Sequence, residues 1–437
     1  MSPYYPELLD RPVPRYTSFP TAVEFGPAVG VGDLKDALRE TCGDISLYIH
    51  LPFCEKICWY CGCNTGAANR HARLVSYLEA LHREIALVGA LFERRVRVRR
   101  VAFGGGSPNA LSPTEFVRLV TALTFHFPLA EPVWSIELDP RTLTEDWGLA
   151  IASIGISNAS LGVQTFAPRI QQAIGRIQPD ADIARATELL RHSGVTSLNF
   201  DLMYGLPGQT REDLEASLRR SVELGADRIA LFGYAHVPQM IPRQKRIDAS
   251  HLPDQAERFA MAALGQDLLT AAGYQPVGFD HFALPGDPLA QASVAGRLHR
   301  NFQGFTEDQA PTMIGLGASA ISMFPGLIVQ NEKNTGRYRM LLSQGQLPAA
   351  LGIVRSPADQ ATARLIEQLL CHCEADVAPE QLRFCGGALQ PFIARALAEV
   401  DGKRLRILPS GLPYARSIVA LFDPYRPDSA KRFSSAV

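Results

Sequence analysis

No stretch of the 437 residues approaches the ~18 consecutive apolar residues of a membrane span, so no membrane partner is expected. The opening residues Met1-Ser2-Pro3-Tyr4-Tyr5-Pro6 lack the basic-then-apolar order of a signal peptide, and the expected location is cytoplasmic. Net charge is missing too: 43 Lys and Arg stand against 44 Asp and Glu, a formal −1 at pH 7. Such a balance argues against nucleic acid as a partner and leaves any anion site to be a local feature. Neither an internal repeat nor a low-complexity tract is present. What is there is ordinary for a globular enzyme, with 46% hydrophobic and 20% charged residues. The length suggests one large domain with a smaller companion.

Cysteine is sparse except in one place. Of eight cysteines, Cys42, Cys371, Cys373 and Cys385 show no compact clustering and read as packing residues. The other four fall in His50-Leu51-Pro52-Phe53-Cys54-Glu55-Lys56-Ile57-Cys58-Trp59-Tyr60-Cys61-Gly62-Cys63. Gaps of three and two residues separate Cys54, Cys58 and Cys61, short enough for one loop to wrap a compact metal centre. A mononuclear zinc site usually takes two separated pairs, whereas thiolates from one tight loop are typical of iron–sulfur clusters. Structural zinc and buried free thiols are the alternatives that spacing leaves open. Three ligands on a four-iron cluster leave one iron open, which marks a reactive site. Cys63 exceeds that requirement and is expected near the cluster without binding it.

The chain begins with an arm to about Phe25 whose prolines forbid a regular helix or inner strand. Its alternatives are a surface tail or a cover over the active site, with Arg11, Arg15 and Tyr16 facing an anionic substrate. Ile45 to Ile49 alternates as a first strand, and the cysteine loop follows it directly. Apolar residues at Leu78, Leu81, Ile85, Val88 and Phe92 mark a helix. Val98 to Phe103 is the next strand and runs into Gly104-Gly105-Gly106-Ser107-Pro108. Further strands at 133–138, 158–163, 197–203 and 228–233 alternate with helices, two of them near 113–125 and 145–152; another helix covers 259–272. Six strands in such alternation imply an α/β fold with a parallel sheet, closed or partial. Residues 278–331 read as a long irregular stretch, more often functional than idle. Residues 351–437 read as a small, mostly helical domain after an arm (1–30) and a catalytic domain (31–350). Glu137, Gln164 and Asp201 stand on successive strand ends, where a buried polar group must be paired or bind a ligand.

The spacing Cys54-x3-Cys58-x2-Cys61, with aromatic Tyr60 before the third cysteine, resembles the radical S-adenosylmethionine (SAM) enzymes. The resemblance implies a six-unit partial (β/α) barrel, with the cluster loop after its first strand and the site at the C-terminal strand ends. It also implies a [4Fe–4S] cluster on Cys54, Cys58 and Cys61 whose open iron binds SAM, cleaved by one electron to a 5′-deoxyadenosyl radical. The glycine run then looks like the motif that holds the methionine part of SAM.

More specific segments resemble the oxygen-independent coproporphyrinogen III oxidase family: Tyr48-Ile49-His50-Leu51-Pro52-Phe53-Cys54, Cys63-Asn64, the arm Pro14-Arg15-Tyr16-Thr17-Ser18-Phe19-Pro20-Thr21, Phe232-Gly233-Tyr234-Ala235-His236-Val237-Pro238, Asp280-His281-Phe282-Ala283, and Leu298-His299-Arg300-Asn301-Phe302-Gln303-Gly304-Phe305. That family implies an oxidoreductase of haem biosynthesis that converts two propionates of coproporphyrinogen III to vinyl groups, giving protoporphyrinogen IX. Two SAM molecules follow, the first lined by Tyr48, Gly105, Glu137, Ala235 and Ile321. The second is lined by Tyr60, Gly106, Ser107, Gln164, Arg176 and Asp201. Arg300 and the arm arginines are candidate propionate partners. An electron donor, an electron acceptor and a monomeric state are expected. The rival is a radical SAM-like haem chaperone, a branch that typically lacks the fourth cysteine and has a shortened start; this chain has both Cys63 and the arm.

Overall fold

The computed structural model describes residues 3–67, 71–92 and 95–426. Six strands lie side by side in chain order and all parallel: β1 (Gly43–Leu51), β2 (Val96–Gly105), β3 (Leu129–Leu138), β4 (Asn158–Gln164), β5 (Ser197–Tyr204) and β6 (Arg228–Gly233). The expected six units are therefore present. Their strands run longer than the apolar alternation suggested: β2 takes in Gly104 and Gly105, which pair with His50 and Leu51 of β1. Between the strands run helices, among them His71–Gly89, Pro113–His126, Glu145–Ile154 and Gln255–Ala271. Their starts follow from capping: Ser112 accepts from the Glu115 amide in a capping box, and Thr144 accepts from the Trp147 amide. Phe103 on β2, Phe116 and Trp147 pack the layer between sheet and helices.

The barrel stays open. Beyond β1 the sheet continues with parallel β7 (Thr312–Leu316), then with antiparallel Ile321–Phe324, Leu327–Asn331 and Ala349–Val354. Beyond β6 it continues with His281–Ala283 and Gln275–Val277, making a twelve-stranded sheet whose two edges do not pair. The stretch expected to be irregular thus holds several short strands. Thr312–Leu316 and Leu327–Asn331 are buried throughout, so neither shows the alternation that betrays a half-exposed strand.

The C-terminal part packs helices Pro357–His372 and Pro379–Ala394 with a three-stranded antiparallel sheet of Glu374–Asp376, Ala398–Asp401 and Arg404–Ile407. The edge strand Ala349–Val354 belongs to the main sheet and bonds the arm through Gly26 and Gly352. The arm itself is packed rather than loose: Leu9, Val13, Tyr16 and Phe19 are buried. Among the described residues no helix is long and apolar enough to cross a membrane.

Candidate active site

At the end of β1 the chain turns through Pro52 into the cysteine loop, whose Phe53–Cys54 pairs with Gly66–Ala67 and so folds the loop back on itself. Cys54, Cys58 and Cys61 line one cavity of about 190 Å³ at the C-terminal ends of β2 to β5, with Cys63 on the same wall. Two arginines approach the Cys58 sulfur. The buried Arg176 donates through Nη1 to Cys58 Sγ (3.2 Å), and Arg141 Nη2 lies 3.7 Å from the same sulfur. Both share the Asp139 carboxylate, Arg141 at 2.5 Å and Arg176 at 3.4 Å. Burial opposes ionisation of Asp139, but Arg176 and Arg141 outweigh it and hold its carboxyl below the ordinary range. Burial, with Cys61 and Cys58 beside it, pushes the Cys54 thiol up to about 12, whereas a hydrogen bond from Cys63 draws Cys61 down to about 6. The main-chain bond from Trp59 N to Ile174 O (3.0 Å) ties the loop to the segment that carries Arg176.

The glycine run meets this loop edge-on. Gly106 N donates to Leu51 O (2.8 Å) and Ser107 N to Phe53 O (2.7 Å). A Cβ on Gly106 would lie 2.4 Å from Phe53 O, so the close approach itself requires glycine. Gly105 requires it twice over, with φ +107° and a virtual Cβ 2.4 Å from the His50 ring. Its amide donates to Glu137 Oε2 (3.1 Å). Burial pushes the Glu137 carboxyl up to about 7, against that one amide. Asp201 is likewise raised by burial, although Ser160 Oγ (3.0 Å) and Asn199 Nδ2 (2.8 Å) donate to it. Gln164 closes β4 with φ +67°, an unusual conformation for a residue with a side chain.

Of the residues singled out in the sequence, Tyr60, Gly105, Gly106, Ser107, Glu137 and Gln164 line the cysteine cavity, as do Arg176 and Asp201. Tyr48, Ala235 and Ile321 are not among its lining residues. The buried Tyr48 hydroxyl bonds His50 Nδ1 (3.1 Å), and its ring meets Phe302 edge-on. The carbonyl of Ala235 accepts from Gln244 Nε2 (3.0 Å), which also donates to Tyr60 O (2.9 Å). Ile321 pairs with Gln330 in the strands beyond β7. Asp139, Ser160 and Arg243 also line the cavity, and Arg141 approaches Cys58 from outside that lining; none of the four was singled out. Asp139 had a signal, two residues past Glu137 on a strand end; Arg141 and Arg243 had none.

Among the described residues no three His, Cys, Asp or Glu side chains converge as ligands of a single ion do. Thiols spread round a shared cavity suit a cluster in which each ligates a different iron, and the guanidinium groups at Cys58 offset the negative charge of thiolates and cluster. The residues therefore fit a [4Fe–4S] group.

A sheet of strand-ordered β/α units with a three-cysteine loop at its strand ends defines a radical SAM protein, and the sequence profile of the radical SAM superfamily matches residues 48–220. A solved structure of the Escherichia coli coproporphyrinogen III oxidase, described as a radical SAM enzyme, superposes with a TM-score of 0.91 at 33% identity, over 97% of this chain and 99% of that one. The oxygen-independent coproporphyrinogen III oxidases of Bradyrhizobium diazoefficiens and Pseudomonas aeruginosa are 39% and 38% identical, over 97% of this chain and 97% and 96% of theirs. The chain belongs to the oxygen-independent coproporphyrinogen III oxidase family.

Proposed function

We propose that this enzyme carries out the oxygen-independent oxidative decarboxylation of two propionates of coproporphyrinogen III to vinyl groups, giving protoporphyrinogen IX. The supporting observation is likeness over 97% of the chain, arm and C-terminal part included, to proteins of that name. Each propionate loses a hydrogen atom from its β-carbon, carbon dioxide leaves, and one electron passes to an acceptor. That hydrogen is beyond any side-chain base. A [4Fe–4S] cluster held by Cys54, Cys58 and Cys61, with SAM bound beside it, supplies the 5′-deoxyadenosyl radical able to remove it.

The chain's own groups bind and orient. Glu137 suits the SAM ammonium, and Gly105, Tyr48, Ala235 and Ile321 complete a first SAM site. Tyr60, Gly106, Ser107, Gln164, Arg176 and Asp201 line a second. Arg176 already donates from Nε to Gln178, from Nη1 to Cys58 and from Nη2 to Gly162 O and Asp139, which leaves the second Nη1 N–H of its five for a SAM carboxylate. The proposal takes the enzyme as a cytoplasmic monomer served by an electron donor and an acceptor; thiols kept for metal suit a reducing compartment.

The test is anaerobic. Reconstituted protein given SAM, reductant, an electron acceptor and coproporphyrinogen III is expected to form protoporphyrinogen IX and deoxyadenosine, and Cys58→Ser to lose cluster and activity together. Only unproductive SAM cleavage by the wild type, with acceptor present, would overturn the proposal.

A further inference from the structure

A second cavity of about 360 Å³ lies between the outer end of β6, the arm and the C-terminal part, lined by Arg15, Gly233, Phe279, Asp280, His281 and Arg416. Its charge is lopsided. The guanidinium of Arg416 lies 5.6 Å from the centre of the Phe279 ring and, among the described residues, makes no hydrogen bond or ion pair. Arg15 stacks on Phe232 (5.1 Å) and spends one N–H on Gly233 O (3.3 Å). Arg300 flanks them, stacked on Phe279 and Phe305. It donates from Nη2 to Arg15 O (3.0 Å) and from Nε to Tyr16 O (3.2 Å), and so fixes the arm that carries Arg15. Against three guanidinium groups stand two carboxylates: Asp267, exposed at the rim, and Asp280, whose Oδ1 is already bonded to His281 Nδ1 at 2.6 Å. Burial, with Arg15 close by, lowers Arg416 to about 10. Cations gathered on aromatic faces with too few anions make a site that lacks its counter-ion.

The cavity adjoins the cluster site. Gly233, which receives Arg15, is two residues from Ala235, whose carbonyl shares Gln244 with Tyr60 of the cysteine loop. Two residues span at most ~7 Å. His281 also borders the barrel lumen, a cavity of about 290 Å³ that holds Glu137 and Asp201.

We propose that Arg15 and Arg416 form a clamp for a substrate carboxylate, a propionate that the reaction leaves intact, with Phe279 as the apolar floor; this presupposes the decarboxylase reading above. Arm and C-terminal part each supply one jaw. The clamp holds the macrocycle by an edge that does not react, leaving a reacting propionate to face the strand ends.

Equilibrium binding tests it without turnover, using stable coproporphyrin III and its tetramethyl ester as fluorescent probes of the reconstituted protein. Arg416→Met is expected to weaken coproporphyrin III binding at least tenfold and Arg416→Lys to recover part of it. The ester, which has no carboxylate, is expected to bind wild type and Arg416→Met alike. Cluster absorbance and thermal midpoint report that the fold is kept; should Arg416→Met fail to fold, Arg15→Met, changed at an exposed arm residue, is expected to show the same drop. Equal affinity of a folded variant and wild type for coproporphyrin III overturns the clamp, even in an active enzyme. Wild type that binds in this pattern yet forms no protoporphyrinogen overturns the decarboxylase reading and leaves Arg15 and Arg416 as a porphyrin carboxylate site without that role in the reaction.

Discussion

Glu137 sits in the barrel with one amide at 3.1 Å as its hydrogen-bond donor, and burial, with Asp201 and Cys61 adding to it, moves its carboxyl to about 7. Below that pH it is neutral and holds no ammonium; above it, it is an anion. The ammonium of SAM, an α-amino group, begins to lose its proton near ~8. SAM affinity is therefore expected to rise from pH 6 to a maximum between about 7 and 8, by roughly tenfold, the effect of one pKa unit. Glu137→Gln is expected to bind SAM at least about tenfold more weakly and to lose the acidic limb. Calorimetric titration at four pH values decides it, and an unchanged acidic limb in the variant removes Glu137 from the ammonium site. Arg176 acts on the metal side. Taking away its N–H bond to Cys58 Sγ in Arg176→Met is expected to lower the cluster potential by about 60 mV, the equivalent of one tenfold change for one electron, as read in a redox titration. The three cysteines and the polar strand residues Glu137, Gln164 and Asp201 were legible because each signal is local, although Asp201 lies inside β5, three residues before its end, rather than at the end the sequence suggested. Arg141 was not: it matters because it reaches Cys58, 83 residues away, and in Pro140-Arg141-Thr142 it reads as one more surface arginine.

Strands β1 to β6 were legible from alternation and from the helices between them. Thr312–Leu316 was not, being five residues long, interrupted by Gly315 and buried on both faces. It extends the sheet beyond β1 on the side away from β2. The glycine run is an element as much as a motif, because two main-chain bonds from Gly106 and Ser107 dock β2 against the start of the cysteine loop. Gly106→Ala puts a methyl 2.4 Å from Phe53 O, and because that neighbour is main chain it cannot swing aside. Overpacking of this kind costs about 1–3 kcal/mol and here shifts the loop that carries Cys54. The variant is expected to fold with a lower thermal midpoint and to take up less than about half the wild-type iron and sulfide; full cluster loading shows that the loop does not depend on this docking.

Over the whole molecule the arm joins parts that are distant in sequence. Tyr4 OH donates to Gln255 (2.9 Å) at the head of the helix Gln255–Ala271, Tyr5 N donates to Tyr414 OH (2.8 Å), and Tyr16 OH donates to Asp423 (3.0 Å) in the C-terminal part. Arg300, from the segment between the sheet edges, takes the carbonyls of Arg15 and Tyr16. Leu9, Val13 and Phe19 are at least 95% buried. At roughly 1.5–3 kcal/mol for each buried side chain, the arm contributes on the order of 5 kcal/mol, the same scale as the net stability of a domain. Proline spacing showed that it is neither helix nor inner strand, but not what it crosses, since its partners lie more than 200 residues away. Removing residues 1–20 is expected to lower the thermal midpoint, to expose the region 357–426 to trypsin, and to abolish coproporphyrinogen turnover. The cluster is still expected to assemble, because the cysteine loop is tied to β2 and to the Arg176 segment rather than to the arm. Differential scanning with limited proteolysis reads the first two effects and iron content the last. An unchanged midpoint and protease pattern makes the arm a tail; loss of iron along with stability makes it part of the cluster scaffold; loss of turnover and stability with iron retained is the signature of a strap that closes the substrate side of the barrel.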